Sequence, residues 1–256
     1  MILTDTHSHL YLDAFKEDLN AVFERAVEAD VKKILLPAID WVSLDQMEQL
    51  EHENIEFYKM MGIHPCEVDL PRSDEEEHLL EVCAMKDFVG VGETGLDYYW
   101  STEFVENQKE SLRMHCRVAK HVKKPIVLHN RDATDDLLQI IEEQQDGSLS
   151  GVWHCFTGTE EEGRRAIDMG LHLGVGGVAT FKNAGVGEVV AKMPMEKLIL
   201  ETDAPYLSPT PKRGKRNEPS FMRFTAEKLS DLKGMSIEEV ADQTTKNANQ
   251  LFKLDD

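Results

Sequence analysis

The sequence predicts an α/β protein, a single TIM-type (β/α)8 barrel with additional C-terminal helices, in which residues 1–256 form one domain. Eight short runs of apolar, aromatic and β-branched residues alternate with amphipathic segments, and strands that alternate with helices form parallel sheets. Eight strands close such a sheet into a barrel, which typically takes about 250 residues. The runs begin near Ile2, Lys33, Ile55, Phe88, Pro125, Gly151, Leu171 and Lys197.

The segments between the runs show helical periodicity. In the first segment, apolar residues recur at helical spacing, and Asp13 stands at the predicted N-cap. The members of this stripe are Phe15, Leu19, Val22, Phe23, Ala26 and Val27. A similar stripe with one polar member follows the fourth run and comprises Val105, Gln108, Leu112, Cys116 and Ala119.

Local signals mark helix starts and one long loop. Ser/Thr-x-x-Glu sequences at Ser73, Thr159 and Ser236 predict capping boxes. The proline-rich stretch 205–219 predicts an irregular loop over one end of the barrel. Residues from Ser220 onward predict the closing helices, and no linker indicates a second domain.

Composition excludes several classes of protein. Hydrophobic residues make up 41% of the chain, which excludes largely disordered and collagen-like proteins. No apolar run reaches the ~18 residues of a membrane span, and residues 1–5 lack a secretory signal. The four cysteines form no C-x-x-C pair, so we expect a cytoplasmic protein without disulfides. We also expect no membrane attachment and no obligate protein partner.

The net charge is −20, because 48 acidic residues outnumber 28 Lys and Arg. Such a surface repels nucleic acid at long range. A function on nucleic acid therefore requires a local reversal of sign.

The strongest motif is Thr6-His7-Ser8-His9 at the end of the first run. In an extended chain, residues i and i+2 point to the same side, so His7 and His9 can face one metal ion. Imidazole suits Zn²⁺, Mn²⁺ or Fe²⁺. The alternative is that one of the two histidines only caps the next helix or bonds within the loop.

Metal-capable side chains also end four other runs, where barrel enzymes place their active sites. An acidic residue at such a position is costly to bury unless it is paired or bound to metal. These four residues are Glu93, His129, His154 and Asp203. Their equivalent positions favour one shared metal site over independent core histidines.

The motifs occur in the order T-H-S-H, G-I-H-P, G-E-T-G-L-D, L-H-N-R, W-H-C-F-T-G and E-T-D-A-P-Y. In this order and spacing, the sequence resembles the TatD family of metal-dependent hydrolases, within the amidohydrolase-like barrels. The resemblance implies two divalent ions bridged by Glu93, with Asp203 orienting or deprotonating the attacking water. It assigns one ion to His7, His9 and Asp203 and the other to His129 and His154, whereas Mg²⁺, Mn²⁺, Zn²⁺ and Fe²⁺ all remain open.

Two bound divalent ions would outweigh two carboxylates and reverse the local charge. Arg131 can hold a phosphate or pair with Asp132, and His64 can contact substrate or pack in its loop. The basic cluster can follow a nucleic-acid backbone or be a solvated loop; it comprises Lys212, Arg213, Lys215 and Arg216. The aromatic residues 98–100 can stack on bases or pack over the barrel mouth.

We therefore expect a metal-dependent deoxyribonuclease, a phosphodiesterase that trims single-stranded DNA from an end in the 3'-5' direction as relatives do. One alternative keeps the metal site but hydrolyses amides, lactones or esters of small molecules, because a fold does not determine its substrate. Another alternative is a binding protein with a degenerate site.

Overall fold

The computed structural model describes residues 1–68 and 74–254. Within this part of the chain, eight strands form one sheet, in which each strand pairs in parallel with the next along the chain. The predicted fold class is confirmed. The strands are β1 (Leu3–Asp5), β2 (Val31–Pro37), β3 (Glu56–Met61), β4 (Phe88–Asp97), β5 (Ile126–Arg131), β6 (Gly151–Trp153), β7 (Leu171–Val175) and β8 (Leu198–Leu200).

Contacts between the first and last strands close the sheet into a barrel. The backbone N–H of Thr6 donates to the carbonyl of Leu200 at 3.1 Å. Beyond the strands, Ser8 and Ala204 form a parallel bridge. All eight strands run the same way, so their carboxyl ends share one rim, to which the predicted site residues belong.

Helices cover the outside of the barrel. They are α1 (Leu19–Glu28), α2 (Val42–Met47), α3 (Glu75–Ala84), α4 (Val105–Val122), α5 (Thr134–Gln144), α6 (Glu160–Asp168), α7 (Val186–Lys192), α8 (Met222–Lys233) and α9 (Ile237–Phe252). Helices α8 and α9 are the predicted C-terminal additions. No helix in the described ranges is both long and apolar enough to span a membrane.

The start of the first helix differs from the prediction. Asp13 begins a 3-10 turn over Asp13–Phe15, and Asp18 occupies the N-cap position of α1. Phe15 is fully buried although it lies outside the helix. Phe15 fits the apolar stripe of α1 without belonging to the helix, because the tight turn directs its side chain into the same core that the helix covers.

Two of the predicted capping boxes are confirmed. Thr159 and Ser236 each accept the N–H of the glutamate three residues on, and that glutamate's side chain accepts the cap residue's N–H. Ser73 lies outside the described residues. The polar member of the α4 stripe, Gln108, is buried because its amide bonds both backbone groups of Asp97 at the end of β4.

The core has two separate layers. Alternate residues of a strand face opposite sides, so Ile34 and Leu36 join the layer between strands and helices, whereas Leu35 joins an inner cluster. The inner cluster combines side chains of five strands with the end of α9, which closes the amino end of the barrel. Its buried members are Leu35, Met60, Val127, Val152, Ile199, Ala248, Leu251, Phe252 and Leu254.

The loop after β8 is held against α1 by ion pairs. Arg216 donates two hydrogen bonds to the carboxylate of Asp18, at 2.7 and 2.8 Å. Arg25 binds Glu218 in the same two-bond manner, at 2.7 and 2.6 Å. The proline-rich loop is therefore fixed on the carboxyl rim, as predicted for this stretch.

Candidate metal centre

Glu93 lies at the centre of a histidine cluster on the carboxyl rim. Its Oε2 is 3.1 Å from His7 Nε2 and 3.4 Å from His9 Nε2. Its Oε1 is 3.0 Å from His129 Nδ1 and 3.2 Å from His154 Nε2. Each oxygen of one buried carboxylate thus faces two imidazoles, which come from opposite parts of the barrel.

Asp203 lies beside the two histidines that face Oε2 of Glu93. Its Oδ1 lies 3.6 Å from His9 Nε2 and 3.9 Å from His7 Nε2. The backbone N–H of Asp203 donates to the carbonyl of His7 at 2.9 Å, so barrel closure itself sets this distance. The structure therefore brings together all six side chains that the sequence nominated as metal ligands.

Glycines allow the close approach of the strands that carry these side chains. Gly95, two residues after Glu93, has φ +144°, and a Cβ there would lie 2.0 Å from the carbonyl oxygen of His129. A Cβ on Gly174 would lie 2.3 Å from a carboxylate oxygen of Glu201. At either position a side chain would push apart groups that the site needs.

Three of the histidines have a partner on the ring nitrogen that faces away from Glu93. Tyr11 lies 2.8 Å from His9 Nδ1, and its hydroxyl donates to the carbonyl of Pro37, so it accepts from the imidazole. Asp97 Oδ2 lies 2.9 Å from His129 Nε2. Glu201 Oε1 lies 3.3 Å from His154 Nδ1, in an ion-pair contact without hydrogen-bond geometry. Such partners fix the ring orientation and leave the inner nitrogen free to act as a ligand.

Electrostatics keeps the carboxylates of the cluster ionised. Burial alone would raise the pKa of Glu93, but the adjacent His7 and His154 hold it well below its usual range. Asp203 behaves similarly, because burial raises its pKa but the contact with His9 and the nearby His154 and His7 together lower it below its ordinary value.

The imidazoles divide into two groups by pKa. Burial lowers the pKa of His9 and His154, but their carboxylate and tyrosine neighbours raise it well above its ordinary value. The pKa of His7 is lowered by burial and by the stacked ring of His154, whose centroid is 3.7 Å away.

The donor set fits divalent metal ions. Nitrogen and oxygen ligand atoms converge from buried side chains, and three groups of metal-capable residues have ligand atoms within 4.8 Å of one another. One group is His7, His9 and Asp203, as the resemblance implies. The others are His64, Glu93 and His129, and His7, His154 and Glu201.

His64 lies beside the cluster, with Nε2 3.7 Å from Glu93 Oε1. Its Nδ1 accepts the N–H of Cys66, and burial lowers its pKa to about 4, so the ring is neutral with its proton on Nε2. It therefore points an N–H donor towards the site.

Arg131 is exposed, and its guanidinium carbon lies 3.5 Å from the ring centroid of Tyr99. Within residues 1–68 and 74–254, no carboxylate forms an ion pair with it, and the alternative pairing with Asp132 is absent.

The members of the basic cluster on the loop after β8 make different contacts. The ammonium of Lys212 lies 5.1 Å from the ring of Phe221, and the guanidinium of Arg213 lies 3.6 Å from the ring of Phe181. Arg216 is already paired with Asp18. Lys215 is exposed. The side chains of this cluster therefore differ in how much charge they offer to a ligand.

Sequence reasoning missed the partners behind the histidines, Tyr11, Asp97 and Glu201. Signals for two of them were present. Asp97 follows Glu93 by four residues on one strand, which puts both side chains on the same face. Glu201 is an acidic residue directly after the apolar run of β8 and is 1% exposed. Tyr11 lies beyond any strand, and no pattern identified it.

Comparison with known proteins agrees with this geometry. The chain matches the family described as TatD related DNase over residues 4–253. It is 39% identical to the uncharacterized metal-dependent hydrolase YabD of Bacillus subtilis (strain 168), over 99% of this chain and 100% of YabD. It is 30% identical to the 3'-5' ssDNA/RNA exonuclease TatD of Citrobacter rodentium (strain ICC168), over 98% of this chain and 97% of that protein.

A solved structure matches the fold over nearly the same length. The crystal structure of YJJV, a TatD homologue from Escherichia coli K12, superposes with a TM-score of 0.91 at 28% identity and covers 99% of this chain and 98% of its own. The family match spans almost the whole chain. This chain belongs to the TatD family of metal-dependent hydrolases.

Proposed function

We propose that the chain is a two-metal phosphodiesterase that removes nucleotides from the ends of single-stranded DNA. The arrangement around Glu93 carries the proposal, because each of its oxygens faces two imidazoles, as a carboxylate bridging two ions requires. The relative named 3'-5' ssDNA/RNA exonuclease supports the choice of substrate and polarity.

Each of the six side chains has a part in this proposal. His7, His9 and Asp203 would hold one ion, His129 and His154 the other, and Glu93 would bridge both. Mg²⁺, Mn²⁺ and Zn²⁺ all accept such mixed nitrogen and oxygen ligands. When bound, the ions polarise the phosphoryl group and lower the pKa of a water molecule.

Asp203 is the general base. It is an ionised carboxylate, its pKa is lowered, and its side chain is 14% exposed at the mouth of the site. It takes a proton from the attacking water as the new P–O bond forms and the ester P–O bond breaks. The proton then goes to the departing oxygen, which leaves a phosphate monoester and an alcohol.

Cationic and donor groups around the mouth hold the substrate. His64 directs its Nε2–H towards the site, as described above, and can donate to a phosphate oxygen. Lys212, Arg213 and Lys215 are the cations of the loop after β8 that no carboxylate neutralises among the described residues. They attract the backbone against the net charge of −20.

The test is cleavage of end-labelled oligonucleotides by protein that has been stripped with a chelator and then reloaded with each metal in turn. We expect stepwise shortening of single strands from the 3' end, restored by Mg²⁺, Mn²⁺ or Zn²⁺ and slower on duplex DNA. Glu93→Gln, purified in parallel, controls for contaminating nucleases.

The same preparations should be offered bis(p-nitrophenyl) phosphate and a panel of esters, lactones and amides. Turnover of the panel with no cleavage of any phosphodiester would contradict the proposal and favour a small-molecule hydrolase. Full activity in the stripped protein would contradict the metal dependence.

A further inference from the structure

The loop after β4 exposes two adjacent aromatic rings at the mouth of the barrel. Tyr99 is 54% and Trp100 70% exposed, and their ring centroids lie 5.0 Å apart at an interplanar angle of 87°. Trp100 is the most exposed large apolar side chain of the described residues. Such a surface costs free energy in water unless a ligand covers it during function.

Packing over the mouth does not explain these rings. Tyr98, the preceding residue, does pack, since it is half-buried and its hydroxyl donates to Asp136 at 2.8 Å. Tyr99 and Trp100 instead project from the same short segment into solvent. Of the two interpretations that the sequence left open for residues 98–100, packing holds for Tyr98 alone.

A cation accompanies the rings. The guanidinium of Arg131 lies 3.5 Å from the centroid of Tyr99 and 5.4 Å from that of Trp100. Arginine planes and aromatic faces both stack on nucleobases, and they do so with little preference for sequence. The combination also attracts the phosphate that accompanies a base.

One carboxylate ties these residues to the metal centre. Asp97 Oδ1 accepts the backbone N–H groups of Tyr99 and Trp100, at 3.0 and 3.2 Å. Asp97 Oδ2 lies 2.9 Å from Nε2 of His129. The backbone that carries the two rings is therefore linked to an imidazole of the site through a single side chain.

We propose that Tyr99, Trp100 and Arg131 form a stacking platform for the nucleobase of the nucleotide next to the scissile phosphate. This inference rests on the proposed nuclease function. It makes recognition depend on an aromatic base and not on its identity, which suits an enzyme that trims strands of any sequence. Stacking of one base contributes roughly 1–3 kcal/mol, which corresponds to about 5- to 150-fold in affinity.

The test compares an oligonucleotide with the same oligonucleotide carrying abasic terminal nucleotides. The native protein should lose about 5- to 150-fold in kcat/KM on the abasic strand. The Tyr99→Ala/Trp100→Ala variant should show a similar loss on the normal strand and little further loss on the abasic one. Met85→Ala, which removes a 54% exposed side chain from the other end of the barrel, should behave as the native protein does.

A binding measurement separates this inference from the proposed function. Tryptophan fluorescence of metal-free protein is titrated with an unlabelled single strand. Trp100 is the most exposed of the three tryptophans, since Trp153 is fully buried and Trp41 is half-buried. Quenching that disappears in Trp100→Ala supports the platform even if the native protein cleaves no nucleic acid. An abasic penalty that survives in the double variant, or quenching that persists in Trp100→Ala, would overturn it.

Discussion

The two ends of the barrel differ in the polarity of their side chains. At the carboxyl end, imidazoles and carboxylates crowd around Glu93, and several of their ring nitrogens need partners behind them. At the amino end, α9 and the residues directly after it place Leu251, Phe252 and Leu254 beneath the strands, with no ionisable group among them. The same eight strands thus end in a polar cluster on one side and an apolar floor on the other.

This contrast shows how a barrel separates stability from chemistry. Burying ionisable groups costs free energy that is recovered only through mutual pairing or bound metal. The apolar floor supplies stability without such conditions. Substitutions at the two ends should therefore affect different measurements, and the following predictions test that separation.

The largest effect is expected from Asp203→Asn. Loss of the general base that we propose should lower kcat by about 10²- to 10⁴-fold, while the melting temperature stays near that of the native protein because the side chain keeps its size. Steady-state kinetics measures kcat and calorimetry measures the melting temperature of the same preparation. A near-normal kcat would remove Asp203 from its assigned role.

Phe252→Ala should lower stability and leave kcat nearly unchanged. Removal of a side chain that is 2% exposed from the floor leaves a cavity and should cost about 3–5 kcal/mol of unfolding free energy. Denaturant unfolding measures the loss, and kcat at a temperature where the variant is folded should remain close to native. A fall in kcat as large as that of Asp203→Asn would show that the two ends are coupled.

Glu201→Gln should weaken metal binding at the position next to His154. Glutamine keeps the shape that Gly174 makes room for but removes the charge behind the imidazole. We expect the affinity for one of the two proposed ions to fall about 10- to 100-fold, measured by titration of the stripped protein with Mn²⁺. Asp136→Asn, whose carboxylate instead contacts Tyr98 and Lys109, is the matched control.

The smallest effect concerns pH and the loop after β8. Burial raises the pKa of Glu218, but the hydrogen bonds from Arg25 and Ser220, together with the charges of Arg25 and Arg216, bring it below its ordinary value of 4.5. The stabilisation is therefore present above pH 4.5 and is lost as pH falls through the lowered pKa. Glu218→Gln should lose about 2 kcal/mol at neutral pH and show a flatter acid limb in melting temperature against pH. Identical acid limbs would contradict the assignment.

Much of the fold followed from pattern alone. The apolar runs marked all eight strands, because strands buried on both faces read as continuous apolar stretches. The predicted N-cap at Asp13 was wrong because Phe15 is buried by a tight turn, which apolar periodicity does not distinguish from a helix. The closure of the barrel floor by α9 was also missed, since nothing local in Leu251 and Phe252 reveals which surface they cover.

The site was predictable because the strands are parallel and their carboxyl ends share one rim. Asp203 follows β8, whereas Glu93 and His129 lie inside β4 and β5, which continue beyond the predicted strand ends. Their side chains nevertheless converge. The division of the histidines into His7 and His9 on one side and His129 and His154 on the other was implied by the family resemblance and not by any pattern in the chain itself. The supporting contacts of Tyr11, Asp97 and Glu201 required coordinates, because they depend on ring orientation.

The position of α9 links the two ends of the chain during folding. Thr4 in β1 and Ile2 both contact Thr245 of α9, and the residues that follow fill the barrel floor. The first strand therefore gains its neighbours β8 and α9 only after almost the entire polypeptide has been synthesised. Contacts of such long sequence separation slow folding. Until α9 docks, the nascent barrel exposes Leu35, Met60 and Ile199 to solvent, and chaperones that recognise apolar surface have their longest opportunity to act in that interval.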